Sequence, residues 1–265
     1  MPYWDVALLG LAAWQGEFVI LRPWIGEGNS MAERYNDTAL HFDKSHIPKF
    51  WRQYLAPSAV SLADLGCGDG PWFRLLQREG CISPEQPVYA VDLEASRLAR
   101  VKQRFSWIFT VVASADHVPE IPTSSLDWVI STMVMEHVPD EIKYLVEVSR
   151  ILKPQGKAYI TTVFKRTWAW YFRKRGGATV LDTSHLREYT NLESFQNLIT
   201  RGSTLRIVAL QLLPMWFPLL DPLLFRVGRY LALDNRALDL LRAVKVPIPG
   251  YYELHVILAK GNTAQ

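Results

Sequence analysis

Residues 59–70 constrain the fold of this chain more than any other stretch. The stretch begins as an apolar run typical of a buried strand, continues through the alternate glycines Gly66, Gly68 and Gly70, and leads into a helical pattern from Trp72. Glycine permits a positive φ and lets a ligand approach the backbone, while the free N–H groups of a following helix attract negative charge. This order predicts a nucleotide-ligand site, with an ordinary glycine loop as the alternative.

Short apolar runs alternate with amphipathic segments from residue 59 onward, which is the rhythm of an α/β protein. We therefore expect a mostly parallel sheet with helices on both faces, in which ligands bind at the carboxyl ends of the strands. The chain of 265 residues needs no second large domain. The strands are expected at residues 59–65, 87–92, 107–112, 126–132, 157–163, 205–212 and 251–259.

Two regions stand outside this alternation. Residues 1–56 carry mixed helical stretches broken by glycine and proline, so we expect an N-terminal helical cap or lid, followed by the main domain over 57–265. An apolar insertion at 212–247 precedes the last strand. Its leucines alternate with arginines, which indicates amphipathic helices that lie on a membrane surface or pack on the domain as a lid.

No segment is expected to cross a membrane. Prolines at positions 214, 218 and 222 interrupt the most apolar stretch, and the N-terminal apolar run lacks a basic lead-in. Two cysteines are too few for a disulfide framework, and no Cys/His cluster has zinc-ligand spacing, so no metal site is expected. We expect a cytoplasmic protein, with peripheral membrane contact left open. The net charge of +3 does not by itself indicate nucleic acid.

Carboxylates near the glycine turn separate two classes of ligand. Dinucleotide turns favour the spacing Gly-x-Gly-x-x-Gly, whereas here Asp64 precedes the turn and Asp69 lies within it. Two carboxylates would repel a pyrophosphate, but they balance a ligand that carries an ammonium and a sulfonium. Asp92, at the end of the second strand, can accept hydrogen bonds from both hydroxyls of a ribose. The charges favour S-adenosylmethionine over NAD.

Five motifs follow one another between residues 59 and 163. They are Asp64–Gly70, the acid Asp92, Ser125–Val129, Met135–Asp140 and Arg150–Gly156. As a set they resemble the motifs of class I, Rossmann-like S-adenosylmethionine-dependent methyltransferases of the small-molecule type. The resemblance implies a seven-stranded sheet whose last strand is antiparallel. The chain departs from the family pattern at Gln155, where a second glycine is usual, and this departure affects a turn.

The resemblance also implies the residues that bind the donor. Gly66 and Gly68 would pack against the methionyl part of S-adenosylmethionine, and Asp64 would hold its amino group. Asp92, followed by Leu93, would bind the ribose.

Three further residues complete this expected donor site. An acid near the end of the third strand commonly contacts the adenine, and Asp116 is the nearest candidate, with an exposed loop acid as the alternative. Thr132 and Met133 would line the methionine end and the channel for methyl transfer.

Histidines provide the candidates for acceptor chemistry. The sulfonium is already an activated donor, so the enzyme mainly aligns acceptor, methyl and sulfur for in-line displacement and excludes water. A hydroxyl acceptor must also lose its proton, which suits an imidazole. His137 is the first candidate base, with Glu136 as its companion, and His185 is the second. The alternative is that these residues only shape the pocket or cap a helix.

The acceptor is expected to be a small molecule, a lipid or a glycan. Residues 164–175 mix five aromatic with five basic side chains, which suits an anionic lipid headgroup or a phosphorylated carrier. RNA bases would use the same residue types, and a solvated basic face is a further alternative. A non-catalytic S-adenosylmethionine-fold binding module is the competing function, and a dinucleotide enzyme is third. The oligomeric state does not follow from the sequence.

Overall fold

The computed structural model describes residues 13–14, 17–18, 44–55, 58–219 and 244–261. Contacts divide the chain into a unit of residues Met1–Thr38 and a unit of residues Ala39–Gln265. In the first unit, Ala13–Trp14 pairs antiparallel with Glu17–Phe18. The main sheet of the second unit contains β1 (Leu62–Leu65), β2 (Val88–Asp92), β3 (Phe109–Val112), β4 (Leu126–Thr132), β5 (Leu152–Lys165), β6 (Leu205–Pro218) and β7 (Lys245–Lys260).

Five described helices accompany the sheet, together with one more short antiparallel pair. The helices are α1 (Lys49–Arg52), α2 (Phe73–Arg78), α3 (Ala95–Arg104), α4 (Glu141–Ile151) and α5 (Leu192–Gly202). The pair joins Lys174–Arg175 to Ala178–Thr179. Asp140 begins α4, because its side chain accepts hydrogen bonds from the backbone N–H groups of Ile142 and Lys143.

The strand order in the main sheet is β6-β7-β5-β4-β1-β2-β3. Neighbouring strands from β5 to β3 are parallel, whereas β7 runs antiparallel to both β5 and β6. The expected seven-stranded α/β sheet with an antiparallel last strand is confirmed. The order reverses between β4 and β1, so the carboxyl end of β1 lies at the switch point where such sheets bind ligands.

Two apolar cores cover the opposite faces of this sheet. One contains side chains of α4 and α5 together with Ile160 and Val256, and the other contains α2 and α3 together with Trp51 and Tyr159. Trp51 is fully buried and stacks on the Tyr159 ring with centroids 4.4 Å apart. This stacking attaches residues 44–55 to the face of the sheet that also carries Asp64.

The strands beside the expected insertion are longer than the sequence indicated. β6 continues to Pro218 and β7 begins at Lys245, so both ends of the region expected to be a helical insertion are strand. Proline is tolerated there because β6 is the edge strand of the sheet, and the pairing shifts register between Pro214 and Trp216. The remainder of the expected insertion, residues 220–243, lies outside the described residues.

Most of the expected N-terminal cap also lies outside the described residues. Among the residues that are described, no helix is both long enough and apolar enough to cross a bilayer.

Candidate functional site

The glycine turn connects β1 to α2 in a conformation that favours glycine. Gly66, Gly68 and Gly70 have φ values of 73°, 55° and 70°, all in the left-handed region. A Cβ on Gly66 would lie 2.3 Å from Cγ2 of Val134, in the loop after β4. The backbone N–H groups of Gly66 and Cys67 both donate to the Val91 carbonyl, at 2.8 and 2.9 Å. The turn is therefore held between the ends of β2 and β4.

The carboxylate of Asp92 is oriented by two backbone N–H groups. Oδ2 accepts from Gly68 at 2.8 Å, and Oδ1 accepts from Glu94 at 3.0 Å. Each carboxylate oxygen has a second acceptor position. The fixed carboxylate at the end of β2 therefore suits a vicinal diol such as that of a ribose.

Asp64 is a buried acid with an unsatisfied carboxylate. The residue is 1% exposed, and neither of its oxygens has a hydrogen-bond partner among the described residues. Burial, assisted by the nearby Asp92 charge and opposed by Lys44, raises the pKa of Asp64 to about 8. A buried carboxylate without partners is costly, and an ammonium group would relieve that cost. Asp64 therefore fits the amino group of a methionyl ligand.

Asp69 differs from Asp64 because its charge is balanced within the protein. Arg100 Nε lies 2.6 Å from Asp69 Oδ1, and Arg104 donates to the Asp69 carbonyl at 3.0 Å. Both arginines belong to α3. Of the two acids expected to face a cationic ligand, only Asp64 therefore has a carboxylate without a protein partner among the described residues. Asp69 instead connects the turn to α3.

The other expected donor residues also follow the carboxyl ends of strands. Leu93 follows β2 and is exposed, whereas Asp116 is half-buried in the turn after β3. Thr132 ends β4, where its hydroxyl accepts from Trp72 Nε1 at 3.4 Å. Met133 has a φ of 58°, and its N–H donates to Thr161 at 2.9 Å. A positive φ is uncommon for a residue other than glycine and occurs mainly where surrounding contacts impose it.

Glu136, His137 and His185 converge although they come from different parts of the chain. One possible ligand atom from each residue lies within 4.8 Å of those of the other two. The two imidazole rings have centroids 4.9 Å apart and meet edge to face. Leu186 N–H donates to the Glu136 carbonyl at 2.9 Å, which holds the two segments together. The three acceptor-side candidates therefore form one cluster.

Burial and hydrogen bonding differ among the members of this cluster. Glu136 is buried, its Oε2 accepts from Thr162 at 2.8 Å, and its Oε1 has no partner among the described residues. Burial is the main cause that raises the pKa of Glu136 to about 7. His185 Nδ1 lies 2.9 Å from Glu188 Oε1. His137 is the most exposed of the three residues. Desolvation of the covered part of its ring, and the nearby His185, nevertheless lower its pKa.

Sequence reasoning missed a second polar group on the opposite face of β5 and β7. Tyr159 hydroxyl and His255 Nδ1 are 2.7 Å apart, and His255 Nε2 lies 3.6 Å from Glu253 Oε2. These residues, with Lys44 and Trp72, line a cavity of about 160 Å³. The sequence did contain a signal for this group. Polar residues at 253 and 255 lie two apart, and so on one face, in an otherwise apolar strand.

Lys44 connects this cavity to the donor site. Its positive charge lowers the pKa of Asp64 against the effect of burial, and it also helps to lower the pKa of Glu253. Trp72, which lines the cavity, hydrogen-bonds Thr132 at the end of β4. The cavity therefore lies beside the residues expected to hold the methionyl end of the donor.

Residues 63–160 match the family model described as a methyltransferase domain. A probable S-adenosylmethionine-dependent methyltransferase of Mycobacterium tuberculosis is 28% identical over 152 residues, which cover 57% of this chain and 52% of that protein. The ubiquinone biosynthesis O-methyltransferase of Klebsiella pneumoniae is 25% identical over 163 residues, covering 59% and 67%. The chain thus spans about half the length of the first relative.

Solved structures agree on the fold. Haemonchus contortus phosphoethanolamine N-methyltransferase 2, solved in complex with S-adenosyl-L-methionine, superposes with a TM-score of 0.55 at 18% identity. The match covers 80% of this chain and 51% of that chain. At this identity the superposition shows a shared architecture. It agrees with the fold that the resemblance implied, and the family model over residues 63–160 matches the region of the ordered motifs.

Proposed function

We propose that this chain, which carries a class I Rossmann-like methyltransferase domain, transfers a methyl group from S-adenosylmethionine to a small-molecule acceptor. The observation that carries the proposal is the pair formed by Asp64 and Asp92 at the glycine turn. Asp64 offers a buried carboxylate to an ammonium group, and Asp92 offers two fixed oxygens to a diol. S-adenosylmethionine contains both groups.

The donor fits the described residues without further ions. Asp64 would hold the amino group, Gly66 and Gly68 would allow close approach of the methionyl part, and Asp92 would bind the ribose. Leu93 and Asp116 would lie beside the ribose and adenine, whereas Thr132 and Met133 would border the methyl group. The bound donor supplies an activated methyl on a sulfonium, and the protein's own work is to orient an acceptor and exclude water.

Two groups of side chains support chemistry on a hydroxyl acceptor. The cavity with Tyr159, Glu253 and His255 provides hydrogen-bonding groups next to the donor site. Glu136, His137 and His185 would help to remove the hydroxyl proton, with His137 as the base because its lowered pKa leaves the imidazole neutral near pH 7. Glu253 contributes to the raised pKa of Glu136, so the two groups lie within electrostatic reach.

A hydroxyl acceptor agrees with the names of relatives. The Klebsiella pneumoniae relative is named as a ubiquinone biosynthesis O-methyltransferase, which acts on oxygen. By analogy with that name, we infer an acceptor with a hydroxyl group and an apolar portion. Such an acceptor includes lipid-like molecules as well as small soluble ones.

Peripheral membrane contact through residues 164–175 and 212–245 is part of the same proposal. Trp168, Trp170 and Trp216 are each more than half exposed. They flank residues 247–250 of β7, because Trp216 pairs with Pro247 and Trp170 N–H donates to the Pro249 carbonyl at 3.1 Å. A Cβ on Gly250 would lie 3.1 Å from the Trp168 ring.

Exposed basic side chains occur in the same segments as these three tryptophans. Arg166, Lys174 and Lys245 are exposed in the same two segments. Exposed tryptophans with basic neighbours suit the headgroup region of an anionic bilayer. This surface would bring the enzyme to an acceptor that partitions into lipid.

The direct test is isothermal titration of the purified chain with S-adenosylmethionine, NAD and S-adenosylhomocysteine. The proposal requires binding of the first and third ligands and their loss in Asp92→Ala. Preferential NAD binding would instead indicate a dinucleotide enzyme. Formation of S-adenosylhomocysteine in the presence of phenolic acceptors then distinguishes a working enzyme from a non-catalytic module.

A further inference from the structure

We propose that Glu136, His137 and His185 form a binding site for one divalent transition-metal ion, of the class that includes Zn²⁺. Binding of the ion can be measured without any enzymatic activity. The inference rests on the proposed function only for the role that the bound ion would play. It consists of one carboxylate and two imidazoles, a donor set found in mononuclear zinc and iron sites.

The geometry of the cluster is close to that of a metal site. The three possible ligand atoms lie within 4.8 Å of one another. Around an ion with ligand distances of about 2.0–2.2 Å, such atoms would be roughly 3–3.6 Å apart. The side chains would therefore have to move closer by about an ångström to bind an ion, and His137, the exposed member, is the least confined of the three.

Glu136 provides the strongest indication that a ligand belongs here. The residue is fully buried, and Oε1 has no hydrogen-bond partner among the described residues, whereas Oε2 is held by Thr162 at 2.8 Å. A buried oxygen without a partner costs free energy that coordination to a cation would recover. Thr162 would orient the carboxylate in the manner of an outer ligand shell.

Both imidazoles are oriented by a second hydrogen bond, as metal-bound histidines usually are. His185 Nδ1 faces Glu188 Oε1 at 2.9 Å, which leaves Nε2 for an ion. Glu188 itself is fixed by Lys165 at 2.9 Å and by the Tyr251 hydroxyl at 3.2 Å. The side chain of His137 hydrogen-bonds the backbone of Ser184.

The charges around the cluster also favour a cation. Three acids lie near members of the cluster: Glu188 Oε1 is 2.9 Å from His185 Nδ1, Asp182 acts on His137, and Glu253 acts on Glu136. Arg173 pairs with Asp182 and Lys165 pairs with Glu188, so these two acids are balanced on their outer side. Arg175 is also bonded, because its guanidinium donates to the His185 carbonyl. Among the described residues, Glu136 Oε1 has no partner and remains available to an ion.

A metal ion here would have a simple use. With His137 bound to it, a divalent ion with an open coordination position would replace a free His137 base, because such an ion lowers the pKa of a bound hydroxyl and fixes its orientation. No metal site is expected from the sequence, because His185 is far from Glu136 and His137 along the chain and the spacing of zinc motifs is absent.

The test uses the full chain, freed of metal with a chelator and titrated calorimetrically with Zn²⁺. Cobalt substitution provides a second readout, because the visible spectrum of Co²⁺ reports nitrogen and oxygen ligands. We expect one ion per chain, with affinity reduced at least tenfold in Glu136→Gln and in His185→Ala. Glu188→Gln should reduce affinity roughly 10- to 100-fold, as outer-shell changes do.

Controls separate the site from adventitious binding and from the donor site. His117→Ala removes an exposed histidine elsewhere and should leave Zn²⁺ affinity unchanged, whereas Asp92→Ala should lose S-adenosylmethionine but retain Zn²⁺. If a buried variant fails to fold, His137→Gln at the exposed position tests the same site. The proposal is overturned if wild type binds no ion, or if binding is equal in wild type and the cluster variants.

Discussion

Gly68 donates its backbone N–H to the Asp92 carboxylate across a distance of 2.8 Å, which joins the glycine turn to the end of the neighbouring strand. This N–H is therefore not offered to a phosphate. In a dinucleotide site the same N–H groups bind the pyrophosphate. The pair thus provides a structural reason, beyond the spacing of the glycines, to expect a ligand with a diol and no phosphate.

Replacing Asp92 should weaken donor binding. Loss of two charge-assisted hydrogen bonds to a ribose is expected to cost about 2–3 kcal/mol, so Asp92→Ala should raise the Kd for S-adenosylmethionine roughly 30- to 150-fold. Titration calorimetry measures this change. Glu85→Ala, an exposed acid before the start of β2, is the matched control and should bind as wild type.

Donor binding should release a proton from Asp64. The pKa of Asp64 is about 8 in the free protein, so the carboxyl is mainly protonated at pH 6 to 7. An ammonium ligand favours the carboxylate and lowers that pKa, so the complex holds fewer protons and affinity should rise with pH up to about 8. Calorimetry in buffers of different ionisation enthalpy counts the protons. Asp64→Asn should abolish this proton release, even though Glu136 is still present and still titrates.

Gly66→Ala should damage both the turn and the loop after β4. The new Cβ would meet Val134 at 2.3 Å, and alanine at a φ of 73° is strained. We expect a loss of about 1–3 kcal/mol in the free energy of unfolding, together with weakened donor binding. Chemical denaturation measures the first effect. Gly80→Ala is a useful comparison, because it has a φ of 70° but no atom within 4 Å of its Cβ position, so it isolates the backbone cost.

His137→Ala should lower turnover while leaving donor affinity intact. General-base or metal-assisted activation of a hydroxyl is worth at least about 100-fold in rate, so kcat should fall by that order. The Kd for S-adenosylmethionine should change less than twofold, since His137 lies outside the Asp64 and Asp92 pair. An unchanged kcat would remove His137 from the reaction. His117→Ala serves as the exposed-histidine comparison.

The exposed tryptophans should contribute to vesicle binding. Sedimentation with vesicles rich in phosphatidylglycerol should capture the wild-type chain, and capture should weaken in a Trp168→Ser, Trp170→Ser, Trp216→Ser triple variant. High salt should weaken it further, because the basic side chains act through screened charges. Phe109→Ser, which removes an exposed aromatic at the opposite edge of the sheet, should leave capture unchanged. Equal capture of all three proteins would contradict the contact.

The sequence predicted the glycine turn and the positions of the expected donor residues at strand ends, because these signals are local. The glycines, Asp64 and Asp92 are fixed by the strand–turn–helix pattern, and the strand containing Thr132 was placed at its observed bounds. Periodicity also predicted the alternation of strands and helices. These features depend on residues within one strand and its turn.

The acceptor side depends on contacts that the sequence does not reveal. Glu136 meets His185 only because the segment after β5 folds back beneath the loop after β4. Tyr159 meets His255 because β7 inserts antiparallel beside β5, and this register sets which polar residues share a face. The ends of β6 and β7 were also misjudged, since prolines that exclude a helix remain compatible with an edge strand.

Lys44 has a consequence for the order in which ligands bind. Its charge acts on both Asp64 and Glu253, so one cation is shared between the donor site and the neighbouring cavity. Above the pKa of Asp64, where its carboxylate is ionised, an ammonium would neutralise that carboxylate, and the Lys44 charge would then act mainly on Glu253 and on any anionic atom in the cavity. Because such coupling is reciprocal, an acceptor in the cavity should also tighten the donor, and the two substrates should bind with positive cooperativity.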